Sequence, residues 1–390
     1  MRISKINFFL LLVGFNFVSV FSQNADTKLI ECVNFLNTQN TSAKDYVLGL
    51  FEKYDIVVLC ERYHQEMTQY DLIFDIVSDK KFTTGCGQIM MEVGVSNSGE
   101  KLNRFLHNDT LPEAKVEDNL LNIIRNNDFN PLWEMTNYPT FIKRLHYFNK
   151  TLPKEQKITV HPVDVPFWWD NIKSRKEYKA TMDTVDSGLR DEIMGKQMQK
   201  IITENKNKKF LIIMNSYHSW FLPKEYGAAW WVKDRFADRT VNVLINNVFN
   251  KNLTGEGQWD AAFKITSNEN LGFDFEDTPF GQTDFRKYVG ELSDPEFDSI
   301  FFKTYNKMQD FFHGYVFYLP VEKHILSYGY PNYIEGKFKK EFGRRSAIAY
   351  GKLISFFGKY KIRKHFNTVR QKRYDNLESL INTRDQWLQK

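Results

Sequence analysis

A chain of 390 residues, 42% hydrophobic and 16% aromatic, can bury one substantial core with an appended subdomain, which excludes a disordered protein. Three cysteines, Cys32, Cys60 and Cys86, allow at most one disulfide and exclude a disulfide-framed scaffold. The formal net charge of +5 hides an asymmetry, because residues 336–390 carry 15 Lys/Arg against 4 Asp/Glu and the remainder is acidic.

Residues 1–22 begin with Arg2 and Lys5, run through the apolar stretch Phe8 to Val20 and end at Ser22, the layout of a secretory signal peptide. No later stretch reaches about 18 uninterrupted apolar residues, so the expectation is an exported, periplasmic or extracellular protein. The body is expected at 23–335.

Asp45 to Lys53 reads as a helix leading into a buried strand, Ile56 to Leu59. Its β-branched run suits a central strand covered on both faces. Cys60, Glu61, Arg62, Tyr63 and His64 follow at its carboxyl end, where open α/β sheets place their ligands. Apolar residues then recur at Met67, Tyr70, Ile73, Phe74 and Val77, predicting a helix between Gln65 and Lys80. Glu61 and His64 therefore lie on the loop entering it.

A second buried strand, Gln88 to Gly94, again ends in a carboxylate, Glu92. Ser96, Asn97 and Ser98 look like a helix cap opening a helical insertion at about 96–149, read as an excursion from the sheet. Gly94-Val-Ser96-Asn-Ser98 lacks the last glycine of a nucleophile elbow, so Ser96 receives no catalytic role. The third strand, Lys157 to Asp164, ends in a third carboxylate and is followed by Phe167, Trp168 and Trp169. This cluster suits either the wall of a substrate pocket or core packing.

A polar helix spans roughly Thr184 to Lys206, and a fourth strand begins at Phe210, with Asn215 and His218 just past its apolar run. Val241 to Asn246 and Gly314 to Pro320 supply a fifth and sixth strand. Between them, Phe273 to Gly281 has little periodicity and reads as a loop near the site, either a lid or a plain surface excursion. The tail resumes helical spacing at Ala347, Tyr350, Ile354 and Phe357 and ends in a basic helix from about Phe366. A basic tail on an acidic body implies docking of one on the other or contact with an anionic surface, whereas nucleic acid is not expected without a recognisable binding motif.

Alternating strands and helices with acids and imidazoles at strand ends argue for an α/β fold: a mostly parallel or mixed central sheet flanked by helices, with its site at the carboxyl edge. No nucleophile elbow, phosphate loop or dinucleotide fingerprint is present, so water is the simplest nucleophile. A carboxylate beside His64 holds one ring nitrogen in a fixed tautomer and leaves the other to take a proton. The candidate catalytic residues are His64, Glu61, Glu92 and His218, with Asp164, Asn215, Trp168 and Trp169 as candidate substrate contacts. The same two imidazoles and two carboxylates suit a divalent metal, and either histidine suits haem.

Cys60-Glu61-Arg62-Tyr63-His64 after a buried strand resembles the Gly-Glu-x-x-His signature of the erythromycin esterase-like family, which is akin to Tiki/TraB proteins and ChaN-type haem-binding proteins. Glu92, Asp164 and His218 match later positions of that family in order, and Phe312 to Tyr318 resembles its closing strand. The resemblance spans roughly residues 54–320. It implies a hydrolase in which His64 activates water, with Glu61, Glu92 and His218 around it, to cleave a small-molecule ester such as a lactone. Its relatives imply two alternatives, a haem- or metal-binding protein and a metal-dependent peptidase. Cys60 in place of Gly, and Gln65 where Gly often follows the histidine, depart from the signature.

Overall fold

In the computed structural model, residues 27–133, 136–186, 189–221, 227–289, 305–351 and 356–389 are described, and the signal-like segment 1–22 lies outside them. Strand β1 (Ile56–Glu61) runs through the centre of a seven-stranded sheet. The chain moves outward through β2 (Gln88–Val95) to β3 (Thr159–Asp164) and returns to insert β4 (Phe210–Asn215) between β2 and β1. It then crosses β1 to lay down β5 (Thr240–Ile245). After a small hairpin, β6 (Val248–Phe249) and β7 (Asn252–Leu253), come β8 (Asn270–Asp274) and β9 (Gly314–Tyr318).

The sheet order is β3-β2-β4-β1-β5-β9-β8, parallel except for the last pair. The carboxyl ends of β1 to β5 therefore share one edge, and the reversal around β1 opens the crevice in which such sheets carry ligands. Every residue of β1 is buried, as its β-branched run requires. Alternation splits its side chains between faces. Val57 and Leu59 join a cluster with Tyr70, Ile73, Leu102, Phe141 and Leu145, while Ile56 and Val58 meet Met194, Met198, Ala228 and Val232.

The insertion forms the helices Gly99–Leu106, Glu113–Ile124 and Asn137–Thr151. Their apolar faces share the cluster of Val57 and Leu59, so this segment, which adds no strand, covers one face of the sheet. Ser98 does not cap through its side chain; its hydroxyl donates to the carbonyl of Val95 at 2.7 Å. The expected helix over Gln65–Lys80 is shorter, Gln69–Val77, and Leu189–Glu204 forms within the expected 184–206.

The stretch read as a loop is one from Phe275 to Gly281, but it is packed into the core and is not a surface excursion. It begins with the end of β8, an edge strand antiparallel to β9, and Phe275 and Phe280 are fully buried against Trp259 and Tyr315. Only Leu271 to Phe273 are buried within β8, too short a run for periodicity to reveal.

The basic tail packs on the body. Helix Phe338–Tyr350 buries Arg345, which pairs with Glu341 at 2.7 Å. Where sequence predicts continuous helix from Phe366, β11 (Arg370–Lys372) pairs antiparallel with β10 (Leu326–Tyr328). The last helix, Leu377–Leu388, is fixed by buried Leu380 and by Arg384 on Glu322 at 2.6 Å. Cys32, Cys60 and Cys86 are buried free thiols.

Candidate active site

Glu61 closes β1 opposite Asn215, the last residue of β4. The chain then turns sharply under a buried ion pair that brackets His64. Arg62 and Glu66, both with fully buried side chains, lie 2.8 Å apart. Arg62 also donates to the carbonyl and side-chain oxygens of Asn246 and to the carbonyl of Tyr318, while Glu66 accepts the N–H groups of Thr68, Gln69 and Ile325. The three residues between them are thus pinned at both ends, and His64 projects back over the sheet edge.

Glu92 sits where β2 leaves register with β3 between Met91 and Val95. Such irregularities re-aim side chains beside active sites. Gly94, with φ 127°, completes the bend; a Cβ there would lie 2.8 Å from Asn127 Oδ1 and 2.9 Å from Pro162 Cβ. Asn215 caps the short helix Ser216–Ser219, which carries His218.

These elements bring His64, Glu61, Glu92 and His218 together. His64 Nδ1 lies 2.6 Å from Glu61 Oε1, and its Nε2 lies 3.5 Å from Glu92 Oε1. His218 repeats the arrangement from the other side, with Nδ1 2.6 Å from Asp191 Oδ1 and Nε2 3.2 Å from the same Glu92 oxygen. The second Glu92 oxygen accepts the backbone N–H of Asn215 at 2.8 Å, and Tyr70 donates its hydroxyl to Glu61 Oε2 at 3.2 Å. The carboxylates of Glu61 and Glu92 are almost completely buried, whereas the two imidazoles retain 15% and 16% exposure. Acids at the bottom and imidazoles at the opening are what a site needs to exchange protons with a ligand.

Sequence reasoning missed Arg190 and Asp191, which open helix Leu189–Glu204 and looked like ordinary polar helix residues. Arg190 binds Asp164 through Nε and a terminal nitrogen, both at 2.9 Å, and reaches Glu92 Oε1 at 3.2 Å and His218 Nε2 at 3.1 Å. Asp164 therefore positions a cation and is engaged by it. Asp191 also accepts the N–H of Ala228 at 2.9 Å. Trp133 was missed as well; its ring stands edge-on to His64, 5.0 Å between centroids. Asn215 contributes its backbone to Glu92 and a side-chain contact to the Arg62 carbonyl at 3.4 Å.

The two expected tryptophan contacts part company. Trp169 is buried with Phe167 and Ile172, donates to the Asp128 carbonyl at 2.9 Å and stacks on Tyr178, which is core packing. Trp168 is half exposed on the preceding residue.

Charge is distributed unevenly. Burial opposes charging His64, but Glu92 and Glu61 outweigh it and push the imidazole up to about 10. Burial is likewise outweighed by Glu92 and Asp191 at His218, again to about 10. Burial works against ionising Glu92 too, yet His218 and His64 hold its carboxyl well below the usual range. Asp128 goes the other way, with burial and then Asp164 raising it.

The donor atoms of Glu61, His64 and Glu92 all lie within 4.8 Å of one another, a grouping a divalent ion could use. The bonds as they stand do not fit one. An ion there would displace Arg190 from Glu92 or Glu61 from His64. Haem bound by either imidazole would likewise have to displace an acid or Arg190 from that ring.

No family model and no curated protein matches this chain. Among solved structures, an erythromycin esterase mutant in its open conformation matches with a TM-score of 0.47 and 9% identity, over 70% of this chain and 92% of that one. A succinoglycan biosynthesis protein matches with a TM-score of 0.43 and 9% identity, over 70% and 89%. ChaN of Campylobacter jejuni, in a structure of cofacial haem binding, matches with a TM-score of 0.35 and 14% identity, over 52% and 85%. These are distant likenesses at the level of fold, and the chain is assigned to no sequence family.

Proposed function

We propose that the protein is an exported hydrolase that activates water with His64 to cleave an ester or lactone bond in a small molecule. One observation carries this reading: His64 is held at Nδ1 by Glu61 at 2.6 Å while Nε2, 3.5 Å from Glu92, faces a partly open crevice. A nitrogen at that distance is loosely held and free to exchange its partner for water. Glu92 itself is a poor base, because its carboxyl is held well below the ordinary range. His64 in its neutral form takes the proton of water, and the oxygen attacks the ester carbonyl.

Negative charge then develops on the carbonyl oxygen. Arg190 and His218, 3.1 Å apart and both directed at Glu92, supply N–H donors for it. Fixed donors aimed at such an oxygen are worth roughly 10²–10³ in rate. Protonated His64 returns its proton to the leaving alkoxide, so no proton is gained or lost over the cycle.

The test is hydrolysis of a panel of aryl esters and lactones by wild type, His64→Ala and Glu92→Gln. Loss of turnover by about 10²–10⁴ in His64→Ala, with folding intact by circular dichroism, supports the reading. Unchanged turnover in both variants overturns it.

A further inference from the structure

The chain on either side of His64 opens onto a second feature, a cavity of about 450 Å³ between the His64 loop, the β6–β7 hairpin and the C-terminal segment. Its lining includes Tyr63 and Gln65, the covalent neighbours of His64, with Lys251 from the hairpin and Tyr328, Lys372 and Tyr374 from the joined strands and tail. We propose that this cavity is the subsite for a ring-shaped part of the substrate that carries an anionic group. The proposal rests on the hydrolase reading and names its substrate class.

Two observations support it.

Lys251 is the first. It and Asn250 form the two-residue turn between β6 and β7, with φ of 66° and 46°. A lysine in the left-handed region is strained where glycine would be at ease, and hairpin turns of this length favour Asn-Gly. Strain of this kind at a cavity wall points to a side chain kept for what it binds.

The second is the balance of surfaces. Val248 and Leu326 supply apolar area, and the exposed ring of Tyr63 and the ring of Tyr328 supply flat faces. Lys372 stands 5.7 Å from the centre of the Tyr328 ring and is held by Asp375 at 2.9 Å. Two ammonium groups against one carboxylate leave the lining cationic. Aromatic faces with an excess positive charge select a ring bearing a carboxylate or phosphate over a neutral one. A group anchored beside Tyr63 and Gln65 also places binding energy next to the reacting carbonyl.

The experiment is calorimetric titration of the full chain with 2-naphthoate and with its neutral counterpart 2-naphthamide. Wild type is expected to bind naphthoate about tenfold tighter than naphthamide, equivalent to one decade in Kd. Lys251→Gly is expected to erase most of that preference while keeping or raising the melting temperature, because glycine relieves the turn. Equal affinity for the two probes, or a Lys251→Gly variant that keeps the preference, overturns the subsite. Should that occur while His64-dependent ester hydrolysis persists, the subsite alone fails. Should the naphthoate preference hold while no ester is hydrolysed, the anion site stands and the hydrolase reading fails.

Discussion

His218 Nδ1 lies 2.6 Å from Asp191 Oδ1, the same separation that joins His64 Nδ1 to Glu61 Oε1, so each imidazole entering the crevice is held from behind by its own acid. The backing acid fixes the tautomer and favours the charged ring. Asp191→Asn is therefore expected to lower the His218 pKa and to reduce ester turnover by roughly 10²-fold if His218 donates to the developing oxyanion. The NMR titration of His218 in the variant checks the first part and steady-state kinetics the second. A His218 titration unmoved by the substitution would sink the assignment.

The pH dependence follows from the same geometry. Both imidazoles are raised to about 10, and His64 must be neutral to accept a proton from water. Turnover should therefore climb as pH rises from 7 towards 10, at about one decade per pH unit while a single proton controls it. Glu61→Gln removes one of the acids that raise His64, so the climb should shift to lower pH. The stability effect has the opposite sense. A folded pKa above the unfolded value of about 6.5 gives stability that is complete below 6.5 and lost as pH rises through 10. Thermal melts of wild type against His64→Asn between pH 6 and 10 should show the variant with the flatter profile.

Much of this site can be read directly from the chain because parallel strands terminate on a common edge. A β-branched buried run followed by Glu61 and His64 locates one corner, and Glu92 and Asn215 follow at the ends of two further strands. Arg190 and Asp191 are illegible for the opposite reason: they start a helix, where Asp and Arg are ordinary surface residues and nothing in their spacing aims them at an edge. The buried apolar run that reveals a central strand also fails for the edge strand β8, where only Leu271 to Phe273 are buried. Trp169 shows the limit of composition, since an aromatic after a strand packs a core as readily as it walls a pocket.

Arg190 also bears on whether an ion takes part. Its guanidinium lies 3.2 Å from Glu92 Oε1 and is tied to Asp164, so the position beside the carboxylate already holds a cation. Hydrolysis is expected to survive prolonged dialysis against EDTA with no more than about twofold loss, and Arg190→Lys, which cannot span Asp164 and Glu92 with a planar fork, to lose roughly 10²-fold. Loss of turnover on chelation that zinc or manganese restores would replace this scheme with a metal-dependent one. Arg190→Lys at full activity would remove the guanidinium from the oxyanion role.

The buried pair Arg62 and Glu66 brackets His64, and its removal should separate stability from chemistry. Burial alone would raise the Glu66 carboxyl, but Arg62 and the hydroxyl of Thr68 pull it down to about 2. The contribution is thus present above the unfolded value near 4.3 and disappears as pH falls through 2. Glu66→Gln leaves the Arg62 guanidinium in a dry site with no counter-charge, a change that costs about 3–5 kcal/mol when one partner of a buried pair is removed. Urea denaturation at pH 7 should show that loss, and the difference from wild type should shrink towards pH 3 as Glu66 takes up its proton in the unfolded chain while staying ionised in the native protein. The same variant should lower kcat, because the loop it loosens carries His64. A variant that is destabilised but keeps wild-type kcat would show that the ion pair holds the fold without positioning the base.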